Sequence, residues 1–172
     1  MRWLVVAATV AVLAGCGGSD DPKSPVLKQI PPYLQGGFTS PHFQPTVWQA
    51  MQLVNTGKKD AVVDHVDLIG GGGVEVLDAR ALVPGTIEDH AVNTVWPPRP
   101  NTDHDVVAIK GAHIPPDQPR GARIELYLLR TAPGPHHIGG LSVSYHVGDK
   151  HFTQQFTATQ FCLTDTKNSA TC

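Results

Sequence analysis

Among the residue types that could bind a metal or take part in catalysis, histidine is the one that is enriched in this chain. The 172 residues include nine histidines, and neutral imidazole is the commonest metal ligand in proteins. None of the intervals between them matches a recognised metal-ligand spacing. Their number raises copper or zinc binding as a hypothesis without locating a site. The nine are His42, His65, His90, His104, His113, His136, His137, His146 and His151.

Two pairs of histidines are placed in the sequence so that they could lie close to other potential metal ligands. His146 and His151 flank the turn Gly148-Asp149-Lys150, and a hairpin there would bring the two rings together. His90 and His104 share a long polar segment with several carboxylates. These four are our candidate ligands for the alternative, metal-binding function. The simpler interpretation is that the histidines are exposed polar side chains, and on it we expect no metal or other cofactor.

The common hydrolytic and nucleotide-binding motifs are missing from the sequence. No serine lies in a G-x-S-x-G elbow, and no pair of carboxylates suggests a glycosidase. The four glycines at 70–73 are not followed by G-K-[ST], so they do not form a phosphate-binding loop. They indicate a flexible hairpin turn instead. We therefore predict that the protein is not an enzyme and has no catalytic residues.

The N-terminus has the organisation of an export signal. Arg2 is followed by an apolar run from Trp3 to Leu13, which is too short to span a bilayer. The run ends in Leu13-Ala14-Gly15-Cys16, which resembles the lipobox of bacterial lipoprotein precursors. The resemblance implies that residues 1–15 are a signal peptide that is removed. It also implies that Cys16 becomes the lipidated N-terminus, on the extracytoplasmic face of the cell membrane.

Lipid on Cys16 would give a stable anchor. Lipoproteins of this type carry a diacylglyceryl group, typically with palmitate, and so at least two acyl chains. Each buried CH₂ contributes about 0.8 kcal/mol, and two chains are enough for stable attachment. The polar segment from Gly17 to Pro25 then predicts a flexible tether. We expect residues 16–45 to form this tether and an extended arm with one short strand.

The other two cysteines suit one disulfide bond. With Cys16 carrying lipid, Cys162 and Cys172 remain, and exported thiols tend to oxidise. A bridge between them would close a small loop at the C-terminus and contribute about 2–3 kcal/mol in the chain-entropy model. A zinc site built on these two alone lacks partners at suitable spacing.

The charge balance excludes some partners. Removal of residues 1–15 leaves 12 basic and 15 acidic side chains, a formal charge of −3. A mildly acidic chain has no basic patch with which to attract nucleic acid. The expected partners are therefore the membrane, through Cys16, and an envelope protein or ligand that the sequence does not identify.

The mature chain shows the period-2 alternation of β-strands. About seven short runs are bounded by turn residues, as in Leu141, Val143, Tyr145 and Val147 against intervening polar side chains. This pattern predicts an all-β fold and resembles an immunoglobulin-like antiparallel β-sandwich of about seven strands, over residues 46–172. Helix has little support anywhere in the mature chain.

One aromatic residue is a candidate for binding. Trp96 stands between Val95 and two prolines in the long polar segment, and exposed tryptophans often anchor interfaces. It could equally plug one end of the sandwich. Together with the anchor, this predicts a membrane-attached, non-catalytic binding or accessory module, with contacts around Trp96 and the glycines at 70–73.

Overall fold

A computed structural model describes residues 21–31, 33, 35–40, 44–83, 92–93 and 105–164. Within these residues the chain forms twelve β-strands and no helix. The strands are β1 Leu27–Ile30, β2 Gln35–Thr39, β3 Pro45–Asn55, β4 Ala61–Gly70, β5 Val74–Val83, β6 Val92–Asn93, β7 Asp105–Ala108, β8 His113–Ile114, β9 Ala122–Arg130, β10 His136–Val147, β11 Lys150–Phe156 and β12 Gln160–Thr164.

The strands form two sheets with immunoglobulin-like order. The first sheet runs β1-β3-β9-β5-β7, and β6 also pairs with β3. The second runs β2-β12-β10-β4-β8, and β11 lies beside β12 along the same strand, β10. An immunoglobulin constant-type domain has strands A, B, E and D in one sheet and C, F and G in the other. The central strands follow this order, which confirms the predicted fold class.

The alternation of the sequence explains which faces are buried. Leu141, Val143 and Tyr145 of β10 are fully buried, while the serines between them are partly exposed. Ile124, Leu126 and Leu128 of β9 face them from the other sheet as part of one hydrophobic core. Burial of an aliphatic or aromatic side chain contributes about 1.5–3 kcal/mol, so these inward rows hold the sheets together.

The N-terminal arm is more structured than the sequence predicts. It forms two strands, where we expected one: β1 joins the first sheet beside β3, and β2 joins the second beside β12. The β2–β12 pair is parallel, so the second sheet is not purely antiparallel. Val26 and Leu27 lie in the core. The backbone hydrogen bonds of both strands, which sequence periodicity does not show, hold the arm in place.

The glycines at 70–73 do not form a hairpin, which corrects our prediction. The strands on either side, β4 and β5, belong to different sheets, so this turn carries the chain from one sheet to the other. Gly70, Gly71 and Gly73 have φ values of 82°, 77° and 82°, a region that side chains rarely adopt. These φ values are the reason that the turn needs glycine. The turn also packs against the β10 backbone, where the Gly71 amide donates to His137 O at 2.8 Å.

Candidate functional site

Three of the histidines lie in one row across the outer face of the second sheet. His113 on β8 is opposite Val62 on β4, Val62 is opposite His146 on β10, and His146 is opposite His151 on β11. Directly opposed residues of neighbouring strands point to the same face. The neighbouring inward residues Ile114 and Tyr145 are buried, so this row faces outward. The expected approach of His146 and His151 across the hairpin is confirmed, with ring centroids 5.3 Å apart.

A β-bulge in β4 places a carboxylate beside this row. Val63 pairs with Tyr145 and His65 pairs with Ser144, which leaves Asp64 without a partner in the register. Val63 and Val66 are buried, so Asp64 and His65 are two consecutive side chains on the outer face. Because of the bulge, Val62 lies on the outer face while Val66 is buried, although an unbroken alternation would place both on one face. Bulges commonly re-aim side chains in this way.

Asp64 contacts both histidines. Its Oδ1 accepts from His146 Nδ1 at 2.8 Å, and its Oδ2 lies 3.6 Å from His151 Nδ1. Atoms that could bind a metal on Asp64, His146 and His151 all lie within 4.8 Å of one another. The three side chains are 38%, 33% and 75% exposed, so a small ion could reach them directly from solvent.

Two further histidine–aspartate pairs lie on the same face. His65 Nε2 is 2.8 Å from Asp67 Oδ1, and His113 Nδ1 is 3.1 Å from Asp60 Oδ2. Each pair is an exposed contact, and exposed ion pairs contribute only about 0–1 kcal/mol to stability. They carry one histidine each, whereas the Asp64 cluster carries two.

His136 has a structural position. Its Nδ1 contacts Gly72 O, and its Nε2 lies 2.9 Å from Ala132 O, so the ring bridges two turns. His137, the next residue, is exposed. The two adjacent histidines thus point to opposite faces of the sheet, as the strand geometry predicts.

Several predicted site residues fall outside the described part of the chain. They are Cys16, His90, Trp96, His104 and Cys172. Of the four candidate metal ligands, the structure therefore brings together His146 and His151. Asp64 was missed in the sequence, where the two adjacent polar residues Asp64 and His65 interrupt the apolar alternation of β4. That interruption is the available signal for a bulge.

Of the three cysteines, Cys162 is the one that lies in the part of the chain that the structure describes. It is 3% exposed on β12. Cys172 lies outside the described residues, so the predicted disulfide between the two stays a prediction.

The outer face of the first sheet holds a partly buried carboxylate. Burial raises the pKa of Glu125, against the lowering effects of Arg123 and of hydrogen bonds from Tyr127 and Gln49. Tyr127 is buried too, and Arg80 stacks over its ring at 5.3 Å. These contacts satisfy Glu125 within the sheet and do not present it as an acid–base group in a cleft.

A groove of about 390 Å³ opens between β4 and β5, where the two sheets part. Val66, Leu68, Val76 and Ile109 form its apolar wall, and the pair His65–Asp67 lies at its polar rim. Gly70, the first residue of the glycine turn, also lines it. The groove is therefore close to the region where the sequence predicts a contact surface.

Comparisons with known proteins identify no family for this chain. No protein-family model and no curated protein matches the chain. Among solved structures, the chain is similar to the ASH / PapD-like domain of human CEP192 (PapD-like domain 7), at 12% identity and a TM-score of 0.33. That alignment covers 96% of this chain and 98% of the other. The fold assignment rests on the strand order described above.

Proposed function

We propose that the protein is a membrane-anchored lipoprotein of the cell envelope whose β-sandwich acts as a non-catalytic binding or accessory module on the extracytoplasmic face. The observation that carries this proposal is the apolar leader ending in Leu13-Ala14-Gly15-Cys16. Lipid on Cys16 would account for the odd number of cysteines, since it leaves Cys162 and Cys172 for one bridge.

The position of Asp21 is consistent with an anchor close to the domain. Asp21 is the fifth residue after Cys16, and its Oδ1 accepts from Lys59 Nζ at 2.8 Å. Its side chain is 9% exposed. Five chain steps reach roughly 17 Å at most, so a lipidated Cys16 would hold the sandwich near the lipid surface.

The groove between β4 and β5 supports a binding role. Binding sites are typically concave and mostly apolar with a few polar groups, and the apolar wall of Val66, Leu68 and Val76 beside His65 fits that description. Within the part of the chain that the structure describes, no helix has the length and hydropathy needed to cross a bilayer.

Cell fractionation tests the anchor. The wild-type protein should fractionate with membranes, and the Cys16→Ser variant should be soluble because it has no sulfur to carry the lipid. Cys172→Ser is a matched control, since it changes another cysteine and leaves the anchor intact. A Cys16→Ser variant that stays with the membranes would overturn the proposal.

A second candidate function is copper or zinc binding by the histidines. The observation that favours it is the convergence of Asp64, His146 and His151 on one exposed face. The two functions are compatible, because the cluster does not involve Cys16. Metal analysis of the purified protein after exposure to CuSO₄ or ZnCl₂ tests it. If the protein retains no metal and shows no thermal shift with either salt, metal binding is ruled out.

A further inference from the structure

We infer that Asp64, His146 and His151 form the binding site for one borderline divalent ion of the Cu²⁺ or Zn²⁺ class. This inference rests on the second proposed function and gives it a location. It replaces a scattered set of histidines with three side chains from three adjacent strands, β4, β10 and β11.

The donor atoms define the class of ion. Two imidazole nitrogens and one carboxylate oxygen are a set that Zn²⁺ and Cu²⁺ accept in proteins. Mg²⁺ and Ca²⁺ prefer ligands that are all oxygen. Cu⁺ prefers thiolate and thioether sulfur, which none of the three residues supplies. The cluster therefore favours a borderline divalent ion.

The distances are close to those of a bound ion. Bonds of about 2.0–2.1 Å in a tetrahedral zinc site place neighbouring ligand atoms roughly 3.3 Å apart. The Asp64 carboxylate is 2.8 Å from His146 Nδ1 and 3.6 Å from His151 Nδ1. The widest separation in the cluster is within 4.8 Å. Closing it requires only rotation of His151, whose side chain is 75% exposed and can change rotamer.

The backbone brings the three ligand-bearing positions together before an ion arrives. His146 and His151 are directly opposed on paired strands, and the bulge puts Asp64 on the same face, where its carboxylate lies 2.8 Å and 3.6 Å from their Nδ1 atoms. Side chains on paired strands are more precisely placed than side chains on loops. This arrangement distinguishes the cluster from a chance meeting of flexible surface groups.

Three protein ligands leave at least one coordination position open to solvent. Structural zinc sites are closed by four protein ligands, whereas catalytic sites have three and keep a water or substrate in the fourth position. The exposure of His151 and Asp64 places that position at the protein surface. The site thus suits an ion that is taken up and released.

Titration calorimetry of the purified full chain, stripped of metal with a chelator, tests the inference. We expect one Cu²⁺ or Zn²⁺ to bind per molecule. Changing even a residue that only supports a ligand costs about 10–100-fold in affinity, so Asp64→Asn and His151→Ala should each weaken binding at least tenfold. The matched controls are His65→Ala and His113→Ala, which change the other histidine–aspartate pairs on the same face and should bind as the wild type does.

Cu²⁺ electron paramagnetic resonance gives a second readout. Coupling to two imidazole nitrogens should fall to one in His151→Ala. His151 is largely exposed, so this variant should unfold at the wild-type temperature when no metal is present.

The outcomes separate the inference from the function on which it rests. A wild-type protein that binds neither ion ends both. Binding that is unchanged in Asp64→Asn and His151→Ala, or that is lost instead in His90→Ala or His104→Ala, would leave metal binding in place and overturn this site.

Discussion

At the scale of single residues, Tyr145 joins the N-terminal arm to the core. Its hydroxyl accepts from the Val26 amide at 2.8 Å and donates to Gln154 Oε1 at 2.6 Å, and the residue is fully buried. The Tyr145→Phe change leaves the buried Val26 amide without this acceptor. An unsatisfied buried donor costs about 1–3 kcal/mol, and we expect a loss of that size in the free energy of unfolding, measured with urea.

Tyr33 provides the control for this change. It is 47% exposed, and surface substitutions usually stay within about 0.5 kcal/mol. Equal stability losses in Tyr33→Phe and Tyr145→Phe would contradict the role assigned to the Tyr145 hydroxyl.

The raised pKa of Tyr127 predicts that the protein loses stability in alkaline solution. Burial, followed by the nearby Glu125 charge, raises the pKa of Tyr127 from 10.0 to about 12. Between these values the unfolded chain releases the phenol proton and the folded protein keeps it, so the free energy of unfolding falls as pH rises. The contribution is fully present below about pH 10.

Unfolding experiments across that range measure the effect. The Tyr127→Phe variant should show a shallower loss of stability between pH 10 and 12 than the wild type does, because it has no phenol to ionise. Identical slopes in the two proteins would show that Tyr127 does not contribute.

The candidate site shows how far residue-level prediction reaches. The pairing of His146 with His151 follows from the sequence, because a short turn between alternating strands fixes which residues are opposed. Asp64 does not follow, because its position depends on the register between β4 and β10, two strands distant in sequence. A bulge is set by that long-range pairing, and a period-2 pattern marks it only as a local irregularity.

At the scale of elements, the glycine turn between β4 and β5 needs glycine at some positions and not at others. At Gly73, φ is +82° and an added Cβ would lie 2.5 Å from the His136 ring. At Gly72 an added Cβ would meet nothing within 4 Å, and the backbone is in an ordinary region.

These adjacent positions form a matched test. A left-handed conformation costs a non-glycine residue roughly 1–2 kcal/mol, so Gly73→Ala should lower the free energy of unfolding by at least that amount. Gly72→Ala should leave it nearly unchanged. Thermal or urea unfolding compares them directly, and equal effects would refute the close contact with His136.

The elements themselves were largely predictable, while their assignment to sheets was not. Alternation over Leu141–Val147 identifies an inward face because successive side chains of a strand point to opposite faces, so an apolar residue at every second position lies on one face. The same pattern cannot show that β4 and β5 belong to different sheets, since a glycine-rich turn serves a hairpin and a sheet-to-sheet crossing equally well. The parallel pairing of β2 with β12 likewise depends on contacts between the two ends of the chain.

At the scale of the whole molecule, we expect a disulfide bond between Cys162 and Cys172. Cys162 is buried on β12, and Cys16 would carry lipid, which leaves Cys172 as the expected partner. Non-reducing peptide mass analysis should find Cys162 and Cys172 linked within one chain. Selective reduction should cost about 2–3 kcal/mol of stability, because a small loop is opened. A link from Cys162 to Cys16 would contradict both the disulfide and the anchor.

In the proposed function, this β-sandwich works on the membrane surface through lipid on Cys16. Mass spectrometry of the N-terminal peptide, from protein extracted from membranes of cells that export it, tests this claim most directly. We predict that residues 1–15 are absent and that the peptide begins at Cys16 with the added mass of a diacylglyceryl group. A peptide that begins elsewhere, or an unmodified Cys16, would overturn the proposed lipid anchor.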